Sequence, residues 1–237
     1  MSKVFKVGLP LVVFVGALGL YYAVPSFFAK HSKPTPPFGA SPDDHYITIK
    51  GLKPEDAKVK AYSTFYGGGE QCKSFSWSAV DGKKRKGGKA ILLIDHNFSQ
   101  DESHYELRIP YTNFISNGCD MKQYDITVDA ENAYDTVGFA ELRIYPPRME
   151  SDKFIAATSF LEAKNCRATY YDEWQNWSDG FACDYYIDGK MEAEGEFSYF
   201  KMRLDFSQFT DDTVIRYDIT AGDNYRTEPK EQKETND

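Results

Sequence analysis

Apolar and polar residues alternate with a period of two along most of the chain between residues 45 and 222. Clear examples are 58–66 (KVKAYSTFY), 105–111 (YELRIPY) and 137–145 (VGFAELRIY). Such alternation is typical of half-buried β-strands, because successive side chains point to opposite faces of a sheet. No stretch shows a sustained apolar stripe with the period of a helix. The pattern predicts a mainly β fold of about ten strands, an antiparallel β-sandwich.

Turn signals divide this pattern into segments. Asp188-Gly189 lies between two short strand patterns and predicts a two-residue hairpin, since Gly and Asp adopt positive φ at little cost. Residues 154–163 fit either a strand or a short helix. Pro146-Pro147 stops the 137–145 strand and marks a possible subdivision of the domain into two smaller β units.

The first 30 residues follow another pattern. The stretch 7–29 carries no charge and lies between Lys6 and Lys30. As a helix it would be about 34 Å long, enough to cross a hydrocarbon core of about 30 Å. We therefore expect residues 1–30 to be a membrane anchor containing one N-terminal transmembrane helix. A cleaved signal peptide is the alternative, with Ala17-Leu18-Gly19 as the fair match to a cleavage site.

Two polar segments flank the domain predicted for residues 45–222. Residues 31–44 are rich in proline and predict an extended spacer between the anchor and the domain. Residues 223–237 are polar and charged and predict a disordered tail. The sequence therefore predicts, in this order, an anchor, a spacer, a β-sandwich domain and a tail.

The charge balance argues against nucleic acid as a partner. The chain has 28 Lys and Arg against 36 Asp and Glu, a net charge of −8. Affinity for nucleic acid comes from Lys and Arg side chains that displace counterions from phosphates. An excess of acidic residues opposes this binding. The sequence also lacks the glycine fingerprints of nucleotide sites and the motifs of common hydrolases. We expect no cofactor and favour a non-catalytic role.

The four cysteines, all downstream of the apolar stretch, predict two disulfides. None forms a C-x-x-C pair, so a zinc ribbon or a redox motif is not expected. An even number behind an export signal is typical of an oxidising compartment. We favour Cys72–Cys119 and Cys166–Cys183, the second closing a loop of about 17 residues. The domain is therefore expected on the periplasmic or extracytoplasmic side; four reduced thiols in a cytosolic domain are the alternative.

The densest group of aromatic residues lies in 170–181 (YYDEWQNWSDGF), which we call the aromatic loop. Its two tryptophans are three residues apart, so the rings cannot all face one sheet core. Rigid rings among polar neighbours are typical of protein interfaces, and the same rings could stack on sugars. The alternative is that the tryptophans fold back over the core. The predicted partner-binding residues are Tyr170, Tyr171, Trp174, Trp177 and Phe181.

A basic cluster occupies residues 83–89. It follows Asp81-Gly82, and Gly87-Gly88 separates Lys89 from the other four cations. Five cations in one loop of an acidic domain could dock onto an anionic lipid headgroup, a glycan or an acidic partner. Charged hairpin tips also serve solubility alone. The predicted anionic-surface docking residues are Lys83, Lys84, Arg85, Lys86 and Lys89.

Two polar stretches carry weak metal-site candidates. His96 and His104 could meet across a hairpin and ligate Zn²⁺, but their spacing is not diagnostic. Asp129 and Asp135 lie in an oxygen-rich stretch that lacks the glycine and terminal glutamate of a calcium-binding EF-hand loop. A solvated loop is the simpler interpretation of both, and no metal is predicted.

These features favour a membrane-anchored, exported module that binds another exported protein, acting in envelope assembly or as an inhibitor of an exported enzyme or toxin. The first alternative is a glycan-binding module that uses the aromatic loop. A further alternative is a metal-assisted hydrolase built on His96 and His104. The expected partners are the membrane, through residues 7–29, and another exported protein, with a glycan as the alternative.

Overall fold

The computed structural model describes residues 32–77, 81–147, 154–195 and 199–230. The predicted anchor, residues 1–30, lies outside the described residues. Within these ranges no helix is long and apolar enough to cross a membrane. The described chain is mainly β, as predicted, with a single short 3-10 turn at Phe206–Gln208.

The strands are more numerous than the sequence pattern predicts. In chain order they are β1 (Tyr46–Leu52), β2 (Lys58–Gly68), β3 (Phe75–Trp77), β4 (Lys84–Lys86), β5 (Gly88–Ile94), β6 (His104–Pro110), β7 (Phe114–Ser116), β8 (Cys119–Glu131), β9 (Phe139–Tyr145), β10 (Phe160–Arg167), β11 (Tyr170–Tyr171), β12 (Asn176–Trp177), β13 (Ala182–Ile187), β14 (Lys190–Ala193), β15 (Tyr199–Arg203) and β16 (Val214–Ala221). The ambiguous stretch 154–163 thus contributes the start of a strand.

Two six-stranded sheets form the body. The first has the order β14-β13-β10-β16-β1-β6, and the second has the order β15-β9-β8-β2-β5 with β7 paired to β8. The short pairs β3–β4 and β11–β12 form separate ribbons. Both sheets are mixed, whereas the sequence pattern predicts antiparallel ones, because β16 runs parallel to β1 and β10 and β15 runs parallel to β9.

One apolar core is shared by the two sheets. The alternating residues point inward as predicted; Tyr105, Leu107 and Ile109 of β6, for example, are at most 1% exposed. Ile126 of β8 and Leu142 of β9 reach the same cluster from the second sheet. Full burial of such a side chain contributes about 1.5–3 kcal/mol. The two sheets thus pack around one shared core.

Strands from both sides of Pro146-Pro147 build both sheets. β16 lies between β1 and β10 in the first sheet, and β15 lies beside β9 in the second. The strands before and after 146–147 therefore share one core instead of forming two separate cores.

Both favoured disulfides are confirmed. Cys72 pairs with Cys119 and Cys166 pairs with Cys183, which leaves no free cysteine. The hairpin predicted at Asp188-Gly189 is also present, with φ values of 49° and 78° joining β13 to β14.

The described part of the predicted spacer packs against the domain instead of extending from it. The Ser32 N–H donates to the carbonyl of Ile91 at 3.0 Å, and the Ser32 carbonyl accepts from the Leu93 N–H at 3.0 Å. Further along, Phe38 packs on the core and the Arg108 guanidinium donates to the Gly39 carbonyl. Residue 32 thus adds a parallel bridge at the β5 edge of the second sheet.

A buried tyrosine pair connects the sheets through hydrogen bonds. The Tyr105 hydroxyl donates to the Tyr217 carbonyl at 2.6 Å, within the first sheet. The Tyr217 hydroxyl donates across the core to the Ala140 carbonyl in β9, also at 2.6 Å. Burial raises the pKa of both phenols well above the ordinary value. Tyr217 therefore provides a polar link between two otherwise apolar sheet faces.

Replacing Tyr217 by Phe should lower the free energy of unfolding by about 1–3 kcal/mol, because the buried Ala140 carbonyl loses its donor. Urea titrations of protein lacking residues 1–31 would measure the change, since every strand of the described residues lies within 46–221. The matched control is Tyr66→Phe, at a ring that is 44% exposed. Its effect should stay within about 0.5 kcal/mol. Equal effects of the two changes would contradict the role given to the Tyr217 hydroxyl.

Candidate functional site

The aromatic loop folds as a small ribbon that ends in a tight turn. Tyr170 pairs with Trp177, and Tyr171 pairs with Asn176. The Trp174 N–H donates to the Tyr171 carbonyl at 3.2 Å and begins the return of the chain. Gln175 completes it with a φ of 47°, in the left-handed region that non-glycine residues adopt rarely. The ribbon thus places Trp174 at its tip.

Three rings of the loop face solvent. Trp174 is 67% exposed, and Tyr170 and Tyr171 are 40% and 41% exposed. The Tyr171 and Trp174 rings contact each other with centroids 5.1 Å apart and planes at 53°. We call these three exposed residues, Tyr170, Tyr171 and Trp174, the tip surface.

The base of the ribbon is fixed by covalent and polar contacts. The disulfide Cys166–Cys183 brackets the whole loop. Between these cysteines, the Thr169 N–H donates to Ser178 Oγ at 3.0 Å, and the Ser178 hydroxyl donates to the Gly180 carbonyl at 2.7 Å. A loop ordered in advance loses less conformational entropy when it binds. The tip surface is therefore presented on a preorganised support.

Phe181 does not belong to the exposed surface, although the sequence pattern groups it with the other rings. It is 4% exposed and stacks on Tyr134 and Tyr225, with centroids 5.2 and 4.8 Å away. The reason is its position immediately before β13, where the chain returns to the core. A buried ring at this position anchors the loop and cannot contact a partner directly.

Trp177 has an intermediate position between core and surface. Its ring contacts that of Tyr170 at 5.1 Å on the ribbon, and it packs against the main core. The Arg226 guanidinium lies over the ring, 4.6 Å from its centroid. The two tryptophans thus have different roles: Trp177 supports the ribbon, whereas Trp174 is available at the tip.

The start of the predicted disordered tail also belongs to the base of the loop. The Tyr225 hydroxyl donates to Asp56 Oδ1 at 3.0 Å, and the Asn132 side-chain amide donates to the Arg226 carbonyl at 2.8 Å. Lys230 forms an ion pair with Asp179 at 3.1 Å. The polar composition of the tail gave no indication of these contacts. The one feature that could have predicted them is Tyr225, an aromatic residue in a polar segment. Residues 231–237 lie outside the described residues.

The surroundings of the tip surface are acidic. Asp172 and Glu173 lie in the turn itself, and no Lys or Arg occurs between residues 168 and 189. Together with the three exposed rings, these two carboxylates line a concavity of about 470 Å³. The site thus combines apolar rings with two carboxylates, and none of the ion pairs among the described residues involves Asp172 or Glu173.

The histidine candidates are not arranged as a metal site. The His96 ring packs edge-on against Phe98 with centroids 4.5 Å apart. His104 Nδ1 lies 3.0 Å from a carboxylate oxygen of Asp101 and 3.0 Å from Ser103 Oγ. Across the described part of the chain, no group of three His, Cys, Asp or Glu side chains is placed to hold a metal ion.

Asp135 has a structural role instead of the calcium-ligating role considered from the sequence. Its Oδ1 accepts from the backbone N–H groups of Val137 and Gly138 at 3.3 and 3.0 Å. Its Oδ2 accepts from the Phe181 N–H at 2.9 Å. Both oxygens are therefore occupied by backbone donors, and the carboxylate connects the 132–138 turn to the base of the aromatic loop.

Asp129 is a buried carboxylate with an incomplete set of partners. It is 8% exposed, and its Oδ1 accepts no hydrogen bond from any described residue. Lys60 lies 3.9 Å away and forms a closer ion pair with Glu131. Burial raises the pKa of Asp129 to about 7, and Lys60 opposes this rise only in part. Asp129 is therefore a destabilising group when it is ionised.

Asp129 should make the domain less stable as the pH rises. Its pKa is about 7 in the folded protein against 3.8 for an unperturbed carboxyl. The folded state thus binds the extra proton between these values, and stability falls from about pH 4 to pH 7 by up to about 4 kcal/mol. Asp129→Asn should reduce this dependence and raise stability at pH 8, as measured by urea titrations.

The control for this pH series is Asp120→Asn, at an exposed carboxylate. It should leave the pH dependence as in the unsubstituted protein. An Asp129→Asn protein with an unchanged stability difference between pH 5 and pH 8 would contradict the raised pKa.

Comparisons of the chain with protein-family models, curated proteins and solved structures found no match. The candidate site is therefore assigned from its own geometry: the tip surface, with two carboxylates beside it, on a disulfide-bracketed ribbon.

Proposed function

We propose that this chain is a membrane-anchored, exported module that binds another exported protein through the tip surface and catalyses no reaction. The observation that carries the proposal is the exposure of Trp174 on a fixed ribbon. Exposed tryptophan and tyrosine side chains provide large contact areas with few rotatable bonds, and they dominate the energetics of many interfaces.

The chemistry of the loop defines the kind of partner surface that would fit. The rings of Tyr171 and Trp174 would fit an apolar depression on the partner. The carboxylates of Asp172 and Glu173 would pair with Lys or Arg side chains around that depression. Complementary charge at the rim of an interface mainly accelerates association and rejects wrong partners. The partner is therefore a protein with an apolar pocket bordered by basic residues.

Export is supported by the cysteines and by the N-terminal sequence. All four cysteines are paired, which suits an oxidising compartment. The uncharged stretch 7–29 is long enough to hold the domain at a membrane as a single-pass anchor. We place the domain on the periplasmic or extracytoplasmic face, where it would serve envelope assembly or inhibit an exported enzyme or toxin.

Trp174→Ala should weaken partner binding by about thirtyfold or more, because loss of a hot-spot residue costs about 2 kcal/mol or above. The full chain, immobilised in detergent, is exposed to envelope extract of the source cells. Retained proteins are identified by mass spectrometry, and the affinity of each is then measured with purified components.

The matched control is Phe154→Ala, at another aromatic side chain that is 50% exposed. It should retain the same proteins as the unsubstituted chain with the same affinity. Retention of one set of proteins by all three chains would show that binding occurs elsewhere and would refute the tip surface as the site.

A second candidate, a glycan-binding module, is favoured by one observation. The concavity at the tip has rings on its walls and the carboxylates of Asp172 and Glu173 beside them, which could accept sugar hydroxyls. The fluorescence of exposed Trp174 should then change on titration with a matching surface oligosaccharide and remain constant in Trp174→Ala. A flat titration over a broad oligosaccharide panel would remove this candidate.

A further inference from the structure

The basic cluster forms an exposed ribbon. Lys86 lies opposite Phe75, and Lys84 lies opposite Trp77, in the register of β3 with β4. Arg85 forms an ion pair with Asp81 at 2.9 Å. In the described part of the chain the other cations of the cluster have no carboxylate partner and are exposed; they are Lys83, Lys84, Lys86 and Lys89.

Two exposed apolar side chains occur at the same end of the molecule. Phe75, on the basic ribbon, is 52% exposed, and Ile115, on β7, is 80% exposed. The β7–β8 hairpin is joined to the base of the basic ribbon by the disulfide Cys72–Cys119. A second link is the hydrogen bond from the Lys73 N–H to the Asn117 carbonyl at 3.0 Å. The structure thus gathers lysines and apolar side chains on one end, which we call the basic end.

The basic end has a local charge opposite to that of the chain. Residues 70–89 and 114–124 contain seven Lys and Arg and three Asp and Glu, although the whole chain carries −8. Six of the seven cations are lysines. Lysine is a compact point charge, whereas arginine is preferred for bidentate recognition of carboxylates in protein partners. This composition favours a diffuse anionic surface over a specific acidic protein.

The aromatic loop lies at the opposite end of the second sheet. The pairs Gly67–Gly88 and Gly68–Asp120 mark the basic end, and the pair Lys58–Glu131 marks the other. Soon after Glu131, the Tyr134 hydroxyl donates to the Ser178 carbonyl at the base of the aromatic loop, at 2.8 Å. The strands of the second sheet therefore separate the lysines from the tip surface.

The direction of the chain at Ser32 also relates to the basic end. Ser32 forms a parallel bridge with Leu92 of β5. Because the bridge is parallel, the amino-terminal side of Ser32 faces Gly88, about 13 Å from Leu92 along the strand. The uncharged stretch 7–29 ends only three residues before Ser32. The chain at Ser32 therefore comes from the side of the basic end, where the lysines and the exposed apolar side chains lie.

We propose that the basic end docks on the anionic headgroups of a lipid bilayer, with Lys83, Lys84, Lys86 and Lys89, which have no carboxylate partner among the described residues, against phosphates and with Phe75 and Ile115 at the interface. Lysines attract anionic headgroups over about one Debye length, roughly 10 Å. In this orientation the tip surface lies at the end of the domain that faces away from the membrane. This proposal rests on the membrane anchor of the proposed function and not on the identity of the partner.

The test measures lysine reactivity in the full chain reconstituted into lipid nanodiscs. Discs of phosphatidylcholine alone are compared with discs that also contain phosphatidylglycerol. An amine-acetylating reagent is applied, and the rate at each lysine is read by mass spectrometry. In anionic discs, Lys83, Lys84, Lys86 and Lys89 should react about fivefold more slowly than in neutral discs, and high salt should abolish the difference. Lys58, at the opposite end, should react equally in both.

Matched charge reversals test the assignment further. Lys84→Glu with Lys86→Glu should abolish the protection of Lys83 and Lys89. The control, Lys50→Glu with Lys58→Glu, makes the same charge change on exposed strand positions and should leave that protection intact. Equal effects of the two pairs would overturn the docking surface.

The remaining outcomes separate docking from anchoring. A chain that fails to co-elute with nanodiscs of either composition overturns both the anchor and the docking surface. A chain that co-elutes but shows equal lysine rates in neutral and anionic discs overturns only the docking surface. Protection of the same lysines by envelope protein in neutral discs would reassign the basic end to an acidic protein and also overturn lipid docking.

Discussion

The structure depends on the placement of its last strand. β16 lies between β1 and β10 and is parallel to both, so it completes the first sheet. The Leu52 N–H donates to the Asp218 side chain across 166 residues of sequence. Gly51 permits this approach, because a Cβ there would lie 2.0 Å from the Tyr217 carbonyl. From the same strand, Tyr217 donates its hydroxyl across the core.

Completion of the first sheet also organises the aromatic loop. The chain leaves β16 at Ala221 and immediately places Tyr225 on Phe181 and Arg226 on Trp177. Asp135, in the turn between β8 and β9, accepts a hydrogen bond from the Phe181 backbone. The base of the loop is therefore assembled from three distant parts of the chain, which explains how a short ribbon can hold large rings in solvent.

The two disulfides support opposite ends of the molecule. Cys166–Cys183 brackets the aromatic loop, and Cys72–Cys119 joins the two hairpins of the basic end. Cys72–Cys119 connects the β3–β4 ribbon to the long strand β8, whereas Cys166–Cys183 joins the two core strands β10 and β13 between which the aromatic loop emerges. In our proposals these ends face a partner protein and a lipid bilayer, and both surfaces require exposed side chains that the core cannot stabilise.

The sequence by itself predicted the local features: the β class from period-two alternation, the inward faces of strands such as β6 and the Asp188-Gly189 hairpin. It favoured the two disulfide pairings without excluding the others. It also located the aromatic loop and the basic cluster. Only the tertiary structure decided that Phe181 is core, that Trp177 lies under Arg226, that residues 223–230 pack on the domain and that the sheets are mixed. The reason is physical: alternation and turn chemistry act between neighbouring residues, whereas strand order and the burial of a particular ring depend on contacts between segments far apart in the chain.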